Sequence, residues 1–80
     1  MDNDWQDRIT LNPEVLAGKP TIRGLRISVE HVLRALSSGV SIDELLTDYP
    51  DLDLDDIRAC WAYSAELVAS ERAYPIRIGA

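Results

Sequence analysis

The sequence predicts a small, mainly α-helical domain of three helices that follow two short N-terminal β-strands. Apolar residues recur at helical spacing in three segments, serine, aspartate or glycine stands at the ends of these segments, and short apolar alternation precedes them. A chain of 80 residues is the size of one domain. Because such a domain buries only about 60% of its unfolded surface, a partner or a second copy would add stability.

Two stretches near the N-terminus alternate apolar and polar residues. Residues 8–11 precede an Asn-Pro pair, and residues 21–27 follow a Gly-Lys-Pro sequence. Alternation bounded by turn residues is typical of β-strands, so we expect two strands joined by a turn-rich loop. Residues 1–8 are acidic, and we expect this segment to be flexible.

Capping residues predict the first two helices. Ser28 can cap a helix over residues 29–38, which a glycine would end. Ser41 and Glu44 have the spacing of a capping box, in which each side chain accepts a hydrogen bond from the other residue's backbone N–H. This box predicts a second helix over residues 42–49, which a proline would end.

The third helix is expected to be the longest, over residues 54–71. Asp53 can cap it, and Asp55 and Asp56 in its first turn would interact favourably with the helix dipole. The residues expected in its buried stripe are Leu54, Ile57, Trp61, Ser64 and Val68. Residues 77–80 are expected to form a tail.

Composition excludes several classes of protein. Cys60 is the only cysteine and His31 the only histidine, so we expect neither a disulfide framework nor a metal site, and no cofactor. The acidic N-terminus does not resemble a signal peptide and no run is long enough to span a membrane, so a cytoplasmic protein is expected. Because no activated nucleophile or paired-carboxylate cleft can be placed, we do not expect an enzyme.

The net charge of -6 argues against general attraction to nucleic acid, but the charges are unevenly distributed. Residues 1–34 hold five basic and five acidic residues, whereas residues 35–70 hold one basic and eight acidic residues. The residues expected to contact nucleic acid, if it is bound, are Lys19, Arg23, Arg26 and Arg34. Composition supports equally well the alternative that Arg23 and Arg26 pair with acidic residues of the helical half of the chain, residues 35–70.

The third helix would face the DNA groove in a helix-turn-helix protein, but its predicted outward face has few side chains suited to base recognition. The residues on that face are Arg58, Ala59, Ala62, Tyr63, Glu66 and Ala69. Small residues suit close packing against another helix. We therefore predict a partner-binding surface that includes Ala59, Ala62 and Tyr63, with a homodimer as one outcome.

Several motifs, in their order along the chain, resemble the signature of domain-of-unknown-function family 433. They are Ile9-Thr-Leu-Asn-Pro-Glu, Gly18-Lys-Pro-Thr-Ile-Arg-Gly, Leu25-Arg-Ile-Ser-Val29, Gly39-Val-Ser and Asp48-Tyr-Pro. The resemblance covers residues 9–76, which we expect to form one domain. The chain departs from the family pattern at two places, since Leu25 stands where a threonine is usual and Ala17 stands where a glycine commonly precedes Gly-Lys-Pro.

This resemblance implies a homeodomain-like helix-turn-helix fold. It also implies an antitoxin of a type II toxin–antitoxin system that binds and neutralises a PIN-like ribonuclease toxin and, in one version of the hypothesis, its own operator DNA. Such a nuclease holds metal with several carboxylates, which would attract a guanidinium, so Arg77 is a candidate for insertion into the toxin. The alternative for Arg77 is a solvated terminal residue.

Two other functions are open. One is a stand-alone helix-turn-helix regulator that binds DNA, and the other is a dimeric interaction module without nucleic-acid binding. The first would show salt-dependent DNA binding through the four cations named above. The second would show a persistent dimer or heteromer built on the third helix.

Overall fold

The computed structural model describes residues 5–70, in which three helices follow a two-stranded antiparallel sheet. Strands β1 (Ile9–Thr10) and β2 (Thr21–Ile22) form the sheet, with Ile9 opposite Ile22. The helices are α1 (Val29–Ser37), α2 (Ile42–Asp48) and α3 (Leu54–Ser70). The predicted class, mainly helical with short N-terminal strands, is confirmed. No helix within residues 5–70 is both long enough and apolar enough to cross a membrane.

Both strands are shorter than predicted, and the difference is largest over residues 21–27. Arg23 and Gly24 have positive φ angles of 42° and 78°, so the chain turns immediately after β2. The Ile22 N–H then donates a hydrogen bond to the Ile27 carbonyl at 3.1 Å. The apolar alternation of this segment therefore belongs to a tight reversal of the chain rather than to one continuous strand.

The predicted helix caps are formed. The Ser28 hydroxyl accepts a hydrogen bond from the backbone N–H three residues later, at 2.9 Å. Ser41 and Glu44 form both bonds of the capping box, at 2.9 and 3.0 Å. Asp53 and Asp56 form an equivalent reciprocal pair at the start of α3, at 2.9 and 3.1 Å. Each helix start thus satisfies backbone donors that would otherwise lack an acceptor.

The core lies between the N-terminal strands and the inward faces of the helices. Its buried apolar residues are Ile9, Ile22, Val29, Val32, Leu45, Leu52, Ile57, Ala59 and Cys60. Burial, with a smaller contribution from the Asp56 carboxylate, raises the pKa of the Cys60 thiol to about 12. Cys60 therefore acts as a small apolar packing residue, as its position beside the predicted core indicated.

Helix α3 buries a different face from the one predicted. Three expected core positions are exposed, namely Leu54, Trp61 and Val68. Ile57 is buried as predicted, and the other buried positions of the helix are Asp56, Ala59 and Cys60. Two arginines bind Asp56, and Trp5 packs edge-on against Tyr63 with ring centroids 4.9 Å apart. These contacts set the rotation of α3 about its axis, which apolar periodicity alone does not indicate.

Candidate functional site

Asp56 is the centre of an ion-pair cluster that joins the N-terminal segment to α3. Its side chain is 0% exposed. Arg8 Nη1 donates to one carboxylate oxygen at 2.8 Å, while Arg23 donates to both oxygens through Nε at 3.0 Å and Nη2 at 2.7 Å. Burial raises the pKa of Asp56, but hydrogen bonds from Arg23, the Asp53 N–H and Arg8 outweigh it and lower the pKa below its ordinary value.

The cluster supports the alternative in which Arg23 pairs with acids of the helical half. Hydrogen bonding to Asp56 also raises the pKa of Arg23, and Nη2 donates a further bond to the Asp51 carbonyl at 2.6 Å. A guanidinium bound in this way has few donors left for a phosphate. The sequence indicated Asp56 only as a helix-dipole acid and did not single out Arg8, because nothing in their spacing reveals a contact across 48 residues.

Glu30 binds two other cations that were predicted to contact nucleic acid. Lys19 Nζ and Arg34 Nε each lie 2.8 Å from its carboxylate oxygens. The hydrogen bond from Lys19, followed by that from Arg34, lowers the pKa of Glu30 to about 2. Arg26 forms no ion pair with any residue of the 5–70 segment. Three of the four predicted cations are therefore paired with carboxylates.

The residues predicted to form a partner surface differ in how far they are exposed to solvent. Ala59 is buried, so its predicted outward position is wrong, and the cause is the rotation of α3 toward Asp56. Tyr63 is half-buried and packs against Trp5, and Ala62 is also half-buried. Arg77 lies outside the described residues.

An exposed apolar stripe runs along the side of α3 that faces away from the core. Leu54, Trp61 and Val68 are 41%, 47% and 69% exposed, and they follow one another at intervals of seven residues. Seven residues are close to two helical turns, so the three side chains lie on one face. We call these three residues the α3 stripe. Large apolar side chains exposed along one face of a helix are candidates for contact with a partner.

A groove between α1 and α3 adds a second apolar surface. It has a volume of about 410 Å³. Its lining residues are Pro20, Val29, Glu30, Leu33, Arg34, Ser37, Tyr63, Ser64 and Leu67. Every residue from 65 to 70 is exposed, so the last turns of α3 extend beyond the packed body. Helical turns without tertiary packing are only marginally stable, which favours a partner at this end of α3.

Within residues 5–70, no three His, Cys, Asp or Glu side chains are grouped so that they could hold a metal ion. His31, for which no catalytic role was predicted, places Nε2 2.8 Å from the Tyr49 hydroxyl. The two rings meet edge-on with centroids 5.5 Å apart. This pair lines a separate pocket beside α1, together with Arg26.

Comparisons with known proteins identify the family. Residues 9–64 match the family model described as "Protein of unknown function (DUF433)". The chain is 34% identical over 56 residues to uncharacterized protein y4eO of Sinorhizobium fredii (strain NBRC 101917 / NGR234), which is 70% of this chain but 25% of that protein. The crystal structure of a DUF433 member from Anabaena variabilis ATCC 29413 has a TM-score of 0.75 and 33% identity, over 80% of this chain and 63% of that one. The chain thus spans only part of each relative's length, and it belongs to the DUF433 family.

Proposed function

We propose that the protein is an antitoxin that binds and neutralises a PIN-like ribonuclease toxin, and that α3 supplies the binding surface. The observation that carries this proposal is the exposed α3 stripe. Helices that pack against one another repeat apolar residues at two positions in every seven, and the α3 stripe supplies one of these two positions along the whole helix. Here these residues face away from the core of residues 5–70, which leaves them available to a partner.

The choice of a nuclease as the partner rests on the family resemblance and on the position of Arg77. Arg77 follows Ser70, at the end of α3, by seven residues, so an extended chain reaches at most about 25 Å from the helix end. A toxin bound to α3 would lie within that distance. The metal-binding carboxylates of a PIN-type site would pair with the Arg77 guanidinium through charge-assisted hydrogen bonds.

The arrangement of charges gives little support to DNA binding, either by an antitoxin at its own operator or by a stand-alone regulator. Arg23 holds a buried carboxylate, and Lys19 and Arg34 share Glu30. Each phosphate contact by one of these residues would require it to leave or share its acidic partner. Among the four cations predicted to contact nucleic acid, Arg26 alone has no carboxylate partner within residues 5–70.

The test is purification of the tagged chain from its native host, identification of bound proteins by mass spectrometry, and an RNA-cleavage assay of the recovered partner. We expect a small nuclease whose activity is suppressed by stoichiometric addition of the chain. Val68→Glu should weaken this inhibition at least about tenfold, since it places a charge in the proposed interface. Leu11→Glu is the matched control, because Leu11 is 60% exposed but lies outside α3.

Two outcomes would contradict the proposal. If only a dimer of the chain is recovered and Val68→Glu dissociates it, the α3 stripe binds a second copy instead. If a nuclease is recovered but Val68→Glu and Leu11→Glu inhibit it equally well, the stripe is not the toxin-binding surface.

The insertion of Arg77 can be tested separately. Arg77→Glu should leave the complex assembled but restore RNA cleavage, because binding by α3 persists while a repulsive charge faces the nuclease carboxylates. Arg26→Glu is the control, because Arg26 is an exposed arginine that lies outside α3 and does not line the groove between α1 and α3. Unchanged neutralisation by Arg77→Glu would show that Arg77 is a solvated tail residue.

A further inference from the structure

The pocket beside the start of α1 carries charge opposite to that of the whole molecule. Its volume is about 610 Å³. Its lining residues are Leu16, Ala17, Lys19, Arg26, Ile27, Ser28, His31 and Tyr49. Two of these are cations and none is a carboxylate, although the chain has a net charge of -6. Clustering of cations against the overall charge concentrates positive potential at this pocket.

The polar groups of the pocket converge from three segments of the chain. Arg26 offers a guanidinium that is free of ion pairs within residues 5–70, and Lys19 Nζ lies on the same rim, 2.8 Å from Glu30. The His31 ring and the Tyr49 hydroxyl add a hydrogen-bonded pair. When His31 Nε2 carries the proton and donates to Tyr49, the hydroxyl of Tyr49 can donate to a ligand.

An apolar wall completes the pocket, formed by Leu16, Ala17 and Ile27. Leu16 and Ala17 have φ angles of 50° and 58°, a left-handed conformation that non-glycine residues adopt at a cost. Hydrogen bonds from the Gly18 and Lys19 N–H groups to the preceding turn hold this conformation, at 3.0 and 3.1 Å. Strained residues of this kind concentrate where a fold positions groups for binding.

We propose that this pocket binds a small organic oxyanion, that is, a phosphate or carboxylate attached to a ring. Arg26 binds the oxyanion through paired N–H donors, as guanidinium groups bind carboxylates and phosphates, and Lys19 adds a second charge. The ring lies against the apolar wall. The site lies apart from the α3 stripe, so it is independent of the proposed toxin-binding function.

Glu30 limits the affinity of this site, because it shares Lys19 with the ligand. Removing the Glu30 charge would free Lys19 Nζ without altering a residue that lines the pocket. Glu30→Gln should therefore tighten binding severalfold, whereas loss of Arg26 should weaken it. Opposite effects from two substitutions at exposed positions are not explained by a general change in folding.

The experiment is titration of the ¹⁵N-labelled full chain with phenyl phosphate, benzoate and inorganic phosphate in turn. Binding is monitored by the changes in the amide chemical shifts. Phenyl phosphate or benzoate should cause saturable shifts at Ala17, Lys19, Ser28 and His31, with a dissociation constant of about 1 mM or below. Arg26→Ala should weaken binding about tenfold. Arg58→Ala, an exposed arginine of α3, is the matched control and should leave binding unchanged.

Whichever of phenyl phosphate and benzoate binds more tightly shows whether the site prefers a phosphate or a carboxylate. Shifts spread over the whole surface, or equal affinities in the Arg26→Ala and Arg58→Ala variants, would overturn the proposal. Inorganic phosphate binding as tightly as phenyl phosphate would remove the role of the apolar wall and overturn it as well. A DNA duplex that shifts the same amides and displaces phenyl phosphate would assign the pocket to nucleic acid instead.

Discussion

Asp56 accepts hydrogen bonds from Arg8 and Arg23, so a single residue connects three segments that are distant in sequence. A buried ion pair gains electrostatic energy but loses the hydration of its charges, and these contributions partly cancel. Removing Asp56 is nevertheless costly, because Arg8 and Arg23 lose the charged hydrogen bonds to it while remaining partly shielded from water. The cluster therefore fixes how α3 is oriented against the strands.

We expect Asp56→Ala to lower the free energy of unfolding by about 2 kcal/mol, because it removes the charged hydrogen bonds from Arg8 and Arg23 and one of the bonds that cap α3. Asp55→Ala is the matched control. Asp55 is 63% exposed, and its ion pairs within residues 5–70 are longer, at 3.6 and 3.9 Å, so its loss should cost less than about 1 kcal/mol. Urea unfolding followed by circular dichroism measures both values. Equal effects would mean that the buried position of Asp56 has no special role.

Acid should destabilise the protein through Glu30 and Asp56. Their folded pKa values lie below the ordinary ones, so their stabilising contributions are complete above the ordinary values and disappear as the pH falls through the folded ones. For Glu30 this window runs from 4.5 down to about 2. The urea concentration at the unfolding midpoint should decrease as the pH is lowered across this range at constant ionic strength. The midpoint of the Glu30→Gln variant should decrease less steeply. Midpoints that do not change would contradict the assignment.

At the scale of elements, the sequence predicted helix starts well but not helix orientation. Ser28, Ser41 and Asp53 form their caps because capping depends on residues within one turn. The α3 stripe was expected in the core because its spacing and its apolar residues are those of a buried face. Spacing shows that residues share a face, but only contacts distant in sequence decide whether that face is inside. The ion pairs of Asp56 are contacts of that kind.

The turn at residues 16–18 provides a prediction at the same scale. Ala17 has a φ of 58°, which lies in the left-handed region. Ala17→Gly should stabilise the protein by up to about 1 kcal/mol, because glycine adopts this conformation without steric strain. The control is Ala62→Gly in the interior of α3, which should destabilise by about 1 kcal/mol. Destabilisation by both substitutions would show that Ala17 is not strained.

Across the whole molecule, the predicted nucleic-acid residues are mostly neutralised by the protein's own carboxylates. This pairing could not be predicted from composition, which supported both possibilities equally for Arg23 and Arg26. The structure pairs Arg23 and leaves Arg26 without a carboxylate partner in the described segment. The apolar pocket wall was also beyond prediction, since it depends on left-handed angles at Leu16 and Ala17.

Any DNA binding by the chain should therefore depend weakly on salt. Each phosphate contact contributes about 0.9 to the slope of log affinity against log salt, so one or two contacts give a slope of at most about 2 in magnitude. Four contacts would give about 4. Fluorescence anisotropy with a labelled duplex over a series of salt concentrations measures this slope. A value near 4 would show that Lys19, Arg23 and Arg34 leave their acidic partners to bind DNA.

The burial of Cys60 gives the molecule an internal reporter of its own opening. Its thiol is 0% exposed and is the only one in the sequence. A thiol-modifying reagent can therefore react only when α3 separates from the core, and the modification rate follows the population of open molecules when reclosure is fast. A partner that binds only the closed form must slow the reaction as it saturates. The affinity of an unlabelled partner could thus be read from the modification rate of one sulfur atom, without denaturant.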